Sequence, residues 1–179
     1  MNFYQKLFET RRVDTLLTLF WFNKIRSDGM AFFLKELGEM TGVEFYQLAR
    51  LRTAVFVVEQ ACAYQEIDAI DAQAKHLWAL DEEGQIVSYA RIFQQEQTVH
   101  FGRVIVAPAY RGQKEGHRLI KEVLHRIEQC YPALPIEIEA QAHLEKFYGQ
   151  YGFKTITPPF YEDGILHVGM KKEASTATL

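Results

Sequence analysis

The chain has 179 residues, enough for one domain with a sizeable core, and 48% of them are apolar and 13% aromatic. A formal net charge of −3 lacks the basic excess of a nucleic-acid surface, so no nucleic-acid partner is expected. Two cysteines, Cys62 and Cys130, are too few for a disulfide framework and fit a reducing, cytoplasmic setting.

The run Leu16-Leu17-Thr18-Leu19-Phe20-Trp21-Phe22 is the only one that resembles a targeting or membrane segment. It falls far short of the ~20 residues of a spanning helix and lacks a small-residue cleavage site. Residues 1–29 therefore read as an N-terminal appendage, either a short docked helix or a tail, and Met30 is a candidate alternative start. The domain itself is expected over residues 30–172, with a C-terminal tail over 173–179.

Residues 31–37 read as a strand ended by Gly38. A helix follows over 43–58, capped by Thr41, with Phe45, Leu48, Ala49, Arg52, Val55 and Phe56 along its faces. The stretch 59–75 is too polar for a strand. Residues 76–80 and 86–94 read as a hairpin through Asp81-Glu82-Glu83-Gly84, with a glycine where positive φ is cheap. Another strand covers 99–107, and an amphipathic helix over 116–129 carries Leu119, Ile120, Val123, Leu124 and Ile127 at helical spacing. Pro132 and Pro135 break the chain before a strictly alternating strand over 136–140. A short helix over 144–150 and strands over 154–157 and 165–170 complete the order, the last two separated by Pro158-Pro159 and the turn Glu162-Asp163-Gly164. This is a mixed α/β chain, with one mixed sheet flanked by helices.

Chemistry concentrates where the strand over 99–107 feeds Arg111-Gly112-Gln113-Lys114-Glu115-Gly116 and then the amphipathic helix. Unpaired backbone N–H groups converge at such a helix start and the helix dipole adds positive potential, which makes an anion site, usually for a phosphate. The loop lacks a Gly-Lys-Ser/Thr ending, which argues against an ATP-type grip. His76, His100, His117, His125, His143 and His167 show no close metal-type spacing, so no metal is expected.

A second element, Phe147-Tyr148-Gly149-Gln150-Tyr151-Gly152-Phe153, follows the alternating strand. The two in this order resemble the GNAT N-acetyltransferases. The phrases Val55-Phe56-Val57-Val58-Glu59-Gln60, Tyr64-Gln65-Glu66-Ile67-Asp68, Ala140-Gln141-Ala142-His143-Leu144 and Glu162-Asp163-Gly164-Ile165-Leu166-His167 are similar to its ElaA-like branch. The resemblance covers residues 31–172 and implies a mostly antiparallel sheet and acetyl-CoA as co-substrate.

It places the pyrophosphate on Arg111, Gly112, Gln113, Lys114, Glu115, Gly116 and His117, and the pantetheine amides along Val104, Ile105 and Val106. Gln141 matches a position where many relatives carry an Asn against the cofactor arm. Lys114 departs from the family pattern, which has glycine there; a lysine costs stability if that position needs positive φ. Tyr148 matches the proton donor to the departing thiolate.

The implied reaction is acetyl transfer to an unidentified primary amine, small-molecule or peptide, by direct attack on the thioester. Base or substrate-contact candidates are Glu59, Asp68, Glu139, His143, Glu162 and His167. A homodimer is consistent with the resemblance, and no membrane partner is expected. The alternative is a non-catalytic acyl-CoA-binding or regulatory module on the same fold.

Overall fold

The structure, a computed structural model, describes residues 30–174; the expected appendage over 1–29 and most of the expected tail lie outside the described residues. Strand β1 (Ala31–Glu36) leads through a 3₁₀ turn to helix α1 (Gly42–Arg52). Thr41 caps that helix: its Oγ1 accepts from the Glu44 N–H at 3.2 Å, while Glu44 Oε2 accepts from the Thr41 N–H at 2.8 Å. The helical path continues through a π-turn, Thr53–Glu59, closed by the Gln60 N–H donating to the Val55 carbonyl.

Next come β2 (Lys75–Leu80), β3 (Ile86–Gln95), β4 (Thr98–Val106), helix α2 (Glu115–Cys130), β5 (Ile136–Gln141) and helix α3 (Glu145–Gly149). Three more strands follow: β6 (Lys154–Thr155), β7 (Phe160–Glu162) and β8 (Ile165–Lys172). Strand β7 is not among the elements expected from the sequence; its three residues are a strand because Phe160, Tyr161 and Glu162 pair with His167, Leu166 and Ile165.

The eight strands form one sheet in the order β1-β2-β3-β4-β5-β8-β6, with β7 alongside β8. All the pairings are antiparallel except β4–β5, which α2 connects as a crossover. The mixed, mostly antiparallel sheet flanked by helices is the expected one.

Two features of β4 shape everything near it. Between Tyr89, opposite Ile105, and Arg91, opposite Gly102, β4 carries Arg103 and Val104 against the single residue Ala90. This bulge puts Arg103 at φ +51°. Beyond the bulge β4 also leaves β5: the parallel pair is joined only at Val99–Ile136 and His100–Glu137. The edge of β4 from Val104 to Val106 thus opens into a cleft.

The sheet buries its faces against different helices. Leu119, Ile120, Val123 and Ile127 of α2 pack with Leu77, Ile92, Phe101, Ile138, Val168 and Tyr148. On the opposite face a smaller cluster joins Leu48 and Val55 to Trp78, Tyr89 and Ile105.

Candidate active site

The loop after β4 makes its turn with two left-handed residues, Gly112 at φ +77° and Lys114 at φ +65°. Lys114 is thus a lysine in a conformation that glycine adopts freely; an L residue there costs about 1 kcal/mol. The geometry turns the chain directly into α2. The N–H groups of Glu115 and Gly116 come first in this 16-residue helix, where no preceding turn offers a carbonyl, so they add donors at its positive end.

They line an open concavity of about 350 Å³ with Val106, Tyr110, Arg111, Gly112, Lys114 and His117. Gln113 is not part of it; its amide donates to the Ala109 carbonyl at 3.2 Å, bracing the turn. Tyr110 donates to the Asp81 carboxylate in the β2–β3 turn, and that bond pushes its phenol up to about 12.

At Gly116, α2, α3 and the end of β4 converge. An added Cβ would meet Phe147 Cζ at 3.7 Å and Val106 Cγ2 at 3.9 Å, ordinary contact distances. One methyl fits there; a branched side chain would crowd the concavity. His117 fastens α2 to the segment after α3: its Nδ1 lies 2.6 Å from the Tyr151 hydroxyl and its ring 4.9 Å from Phe147.

Tyr148 is 5% exposed, its ring between Phe101, Phe147 and Phe153. Burial, with a smaller contribution from Tyr151, pushes its phenol well above the ordinary value, so it holds its proton at any physiological pH. Val104, Ile105 and Val106 lie on the open edge of β4, and Gln141 ends β5 opposite His167.

The six base candidates are scattered. Glu59 is held by Arg111 through two hydrogen bonds at 2.7 and 3.0 Å, which keep its carboxyl below the usual range. Asp68 caps the short turn Ala69–Ala72 and accepts from Arg91 at 2.6 and 3.0 Å. Each of these two carboxylates is therefore engaged by a guanidinium. Glu139, His143 and Glu162 are exposed.

His167 is half-buried and stacks on Phe160 at 6.2 Å between ring centres. Its Nδ1 lies 2.9 Å from the Ile165 carbonyl, which only accepts, so Nδ1 is the donor in that bond.

Sequence reasoning missed a buried ionic cluster beside the site. Arg52, fully buried, donates to both carboxylate oxygens of Glu66 and of Asp71, to the Glu66 carbonyl and to the Tyr89 hydroxyl. Arg91 joins Asp71 to Asp68, and Arg103 lies 3.5 and 3.6 Å from Glu66 and Asp68. His76 closes the network between Tyr89 and the Asp71 carbonyl. Burial pulls the His76 imidazole below its usual value. Burial pushes the Asp71 carboxyl up, but hydrogen bonds from Arg52, the Asp68 N–H and Arg91, with the Arg52 charge, hold it down to about 2. The signal in the sequence was an arginine among Leu48 and Val55 on an apolar helix face, with acidic residues in the irregular stretch after it.

A bulged strand splayed from its parallel neighbour thus leads into an anion-type loop at the next helix, where Gly116 meets Phe147 of α3. The acetyltransferase (GNAT) domain model matches residues 37–174, and the chain belongs to that family. Protein ElaA of Escherichia coli is 42% identical over 146 residues, 78% of this chain and 94% of its own. The crystal structure of an acyl-CoA N-acyltransferase from Pseudomonas aeruginosa is 40% identical with a TM-score of 0.77, covering 80% of this chain and 99% of that one. A GNAT acetyltransferase of Elizabethkingia anophelis with acetyl-CoA bound shares the fold at 14% identity and a TM-score of 0.59, over 82% and 99% of the two chains. No helix among the described residues is long and apolar enough to cross a membrane.

Proposed function

We propose that the chain is a cytoplasmic acetyl-CoA-dependent N-acetyltransferase that transfers acetyl to a primary amine by direct attack on the thioester. The observation that carries this reading is the continuity between the unpaired edge of β4 and the start of α2. The free edge of β4 at Val104 to Val106 runs from the region packed by Tyr148 to the first N–H groups of α2, at Glu115 and Gly116. A ligand with a diphosphate at one end, amides in the middle and a thioester at the other matches that run in order. The Pseudomonas aeruginosa relative and the acetyl-CoA complex of the Elizabethkingia anophelis enzyme support it.

In this reading Arg111, Gly112, Lys114, Glu115, Gly116 and His117 bind the diphosphate, with Gln113 bracing the turn, and Gln141 faces the cofactor arm from β5. Bound acetyl-CoA supplies the electrophilic carbonyl. A backbone N–H near Val106 stabilises charge developing on its oxygen. Tyr148, kept protonated by burial, donates to the departing thiolate.

A lysine-like amine has a pKa of ~10.4, so only roughly one molecule in a thousand is neutral at pH 7 and a proton acceptor is required. His167, whose Nδ1 is engaged by the Ile165 carbonyl, offers its Nε2 for that role, and Glu139 lies on the neighbouring strand.

The test is CoA release from acetyl-CoA over a panel of amines. An amine that raises turnover in the unaltered chain, with the rate falling in Tyr148→Phe at unchanged acetyl-CoA affinity, supports transfer. Tight binding with no amine raising turnover favours a non-catalytic module.

A further inference from the structure

Arg111 opens the anion loop, yet its guanidinium is engaged outside it. Nη1 and Nη2 donate to the two carboxylate oxygens of Glu59, and Nε donates to the Val106 carbonyl at 3.1 Å. Glu59 lies 52 residues earlier, where the π-turn after α1 ends. Arg111 is also one of the residues that line the concavity, with Gly112, Lys114 and Gly116. A carboxylate meeting a guanidinium through two parallel hydrogen bonds presents the arrangement that a phosphate presents. Both partners are nearly half exposed, at 44% and 45%, so water and salt keep the pair weak and exchangeable.

We propose that Glu59 is an internal competitor for the diphosphate site: it holds Arg111 until an anionic ligand in the concavity exchanges with it. That exchange also unlatches the turn ending at Glu59 from the cofactor loop, so occupancy on one side of β4 is felt at the helix on the other. Glu59 is then a positioning residue that acts through Arg111 and touches no reacting atom. The sign of its effect is distinctive. A glutamate that merely pre-orients Arg111 aids binding, whereas a competitor opposes it. This proposal rests on the acyl-CoA reading.

Calorimetric titration with CoA separates the two. Glu59→Gln keeps the shape and removes the charge, and is expected to tighten CoA about two- to fivefold, the range open to an exposed ion pair. Arg111→Ala weakens binding, and Glu59→Gln added to it changes nothing further. Glu96→Gln, before the opposite end of β4, controls for lost negative charge and leaves affinity unchanged. The competitor role is overturned if Glu59→Gln weakens CoA or leaves it unchanged, or if its effect survives without Arg111. A failure of the unaltered chain to bind CoA at all overturns the acyl-CoA reading and this proposal with it.

Discussion

The molecule concentrates charge in two places, and they differ in what their hydrogen-bonding groups meet. Under α1, Arg52, Arg91 and Arg103 face Glu66, Asp68 and Asp71, three charges against three. Arg52 spends its donors on protein acceptors, and the polar stretch between the π-turn and β2 is held to α1 by it. At the start of α2 the opposite holds. The N–H groups of Glu115 and Gly116 begin the helix beside the concavity, Lys114 sits in a costly left-handed conformation, and Arg111 is held by an exposed carboxylate and the Val106 carbonyl. Buried charge that closes on itself fixes a backbone; charge and donors left open at a helix start are free to take a ligand.

The largest expected effect breaks the closed side. Arg52→Met takes the central cation from buried Glu66 and Asp71, leaving them only Arg103 and Arg91, and should lower stability by about 3–5 kcal/mol, measured by urea unfolding. A loss below about 1 kcal/mol would make the cluster incidental.

On the open side, Tyr148→Phe should cut turnover at least ~100-fold, the low end for a general acid, while the urea midpoint barely moves because the ring packing survives. Since burial raises the phenol pKa, the rate should show no alkaline loss from Tyr148 below about pH 10.

Acid should find the closed cluster first. His76 resists protonation when folded, so below about pH 6.5 the unfolded chain takes up a proton that the folded chain refuses. Its contribution is present above that pH and is lost by up to about 1.4 kcal/mol per unit as pH falls toward the folded pKa. Asp71, held down to about 2, adds a further loss between about pH 4 and pH 2. Urea midpoints at pH 7.5 and 5.5 should differ in the unaltered chain and converge in His76→Gln.

The smallest effect separates strain from charge on the open side. Lys114→Gly should gain up to about 1 kcal/mol of stability by relieving the left-handed lysine, and weaken CoA roughly two- to fivefold by removing a cation from the concavity.

How far the residues alone reach follows the same division. The amphipathic pattern from Leu119 to Ile127 and the alternation from Ile136 to Ala140 announce their elements, because period and burial coincide there. The loop announces itself because its glycines and its place between strand and helix are local. Strand β7 does not: three residues acquire strand character only through pairing with β8. The role of Arg52 is equally hidden, since its partners lie 14 and 19 residues on and touch it only once the chain folds back. The ion pairs of Glu59 and Asp68 are hidden in the same way, because their arginines come from elsewhere in the chain.

The most direct measurement is an amide NMR titration of the unaltered chain with CoA. Seating of the diphosphate and pantetheine as argued requires saturable shifts concentrated at Gly112, Lys114, Glu115 and Gly116 and along Val104 to Val106, with the amides around Arg52 and Asp71 nearly still. Shifts confined to another face of the sheet, or none at saturating CoA, would contradict it.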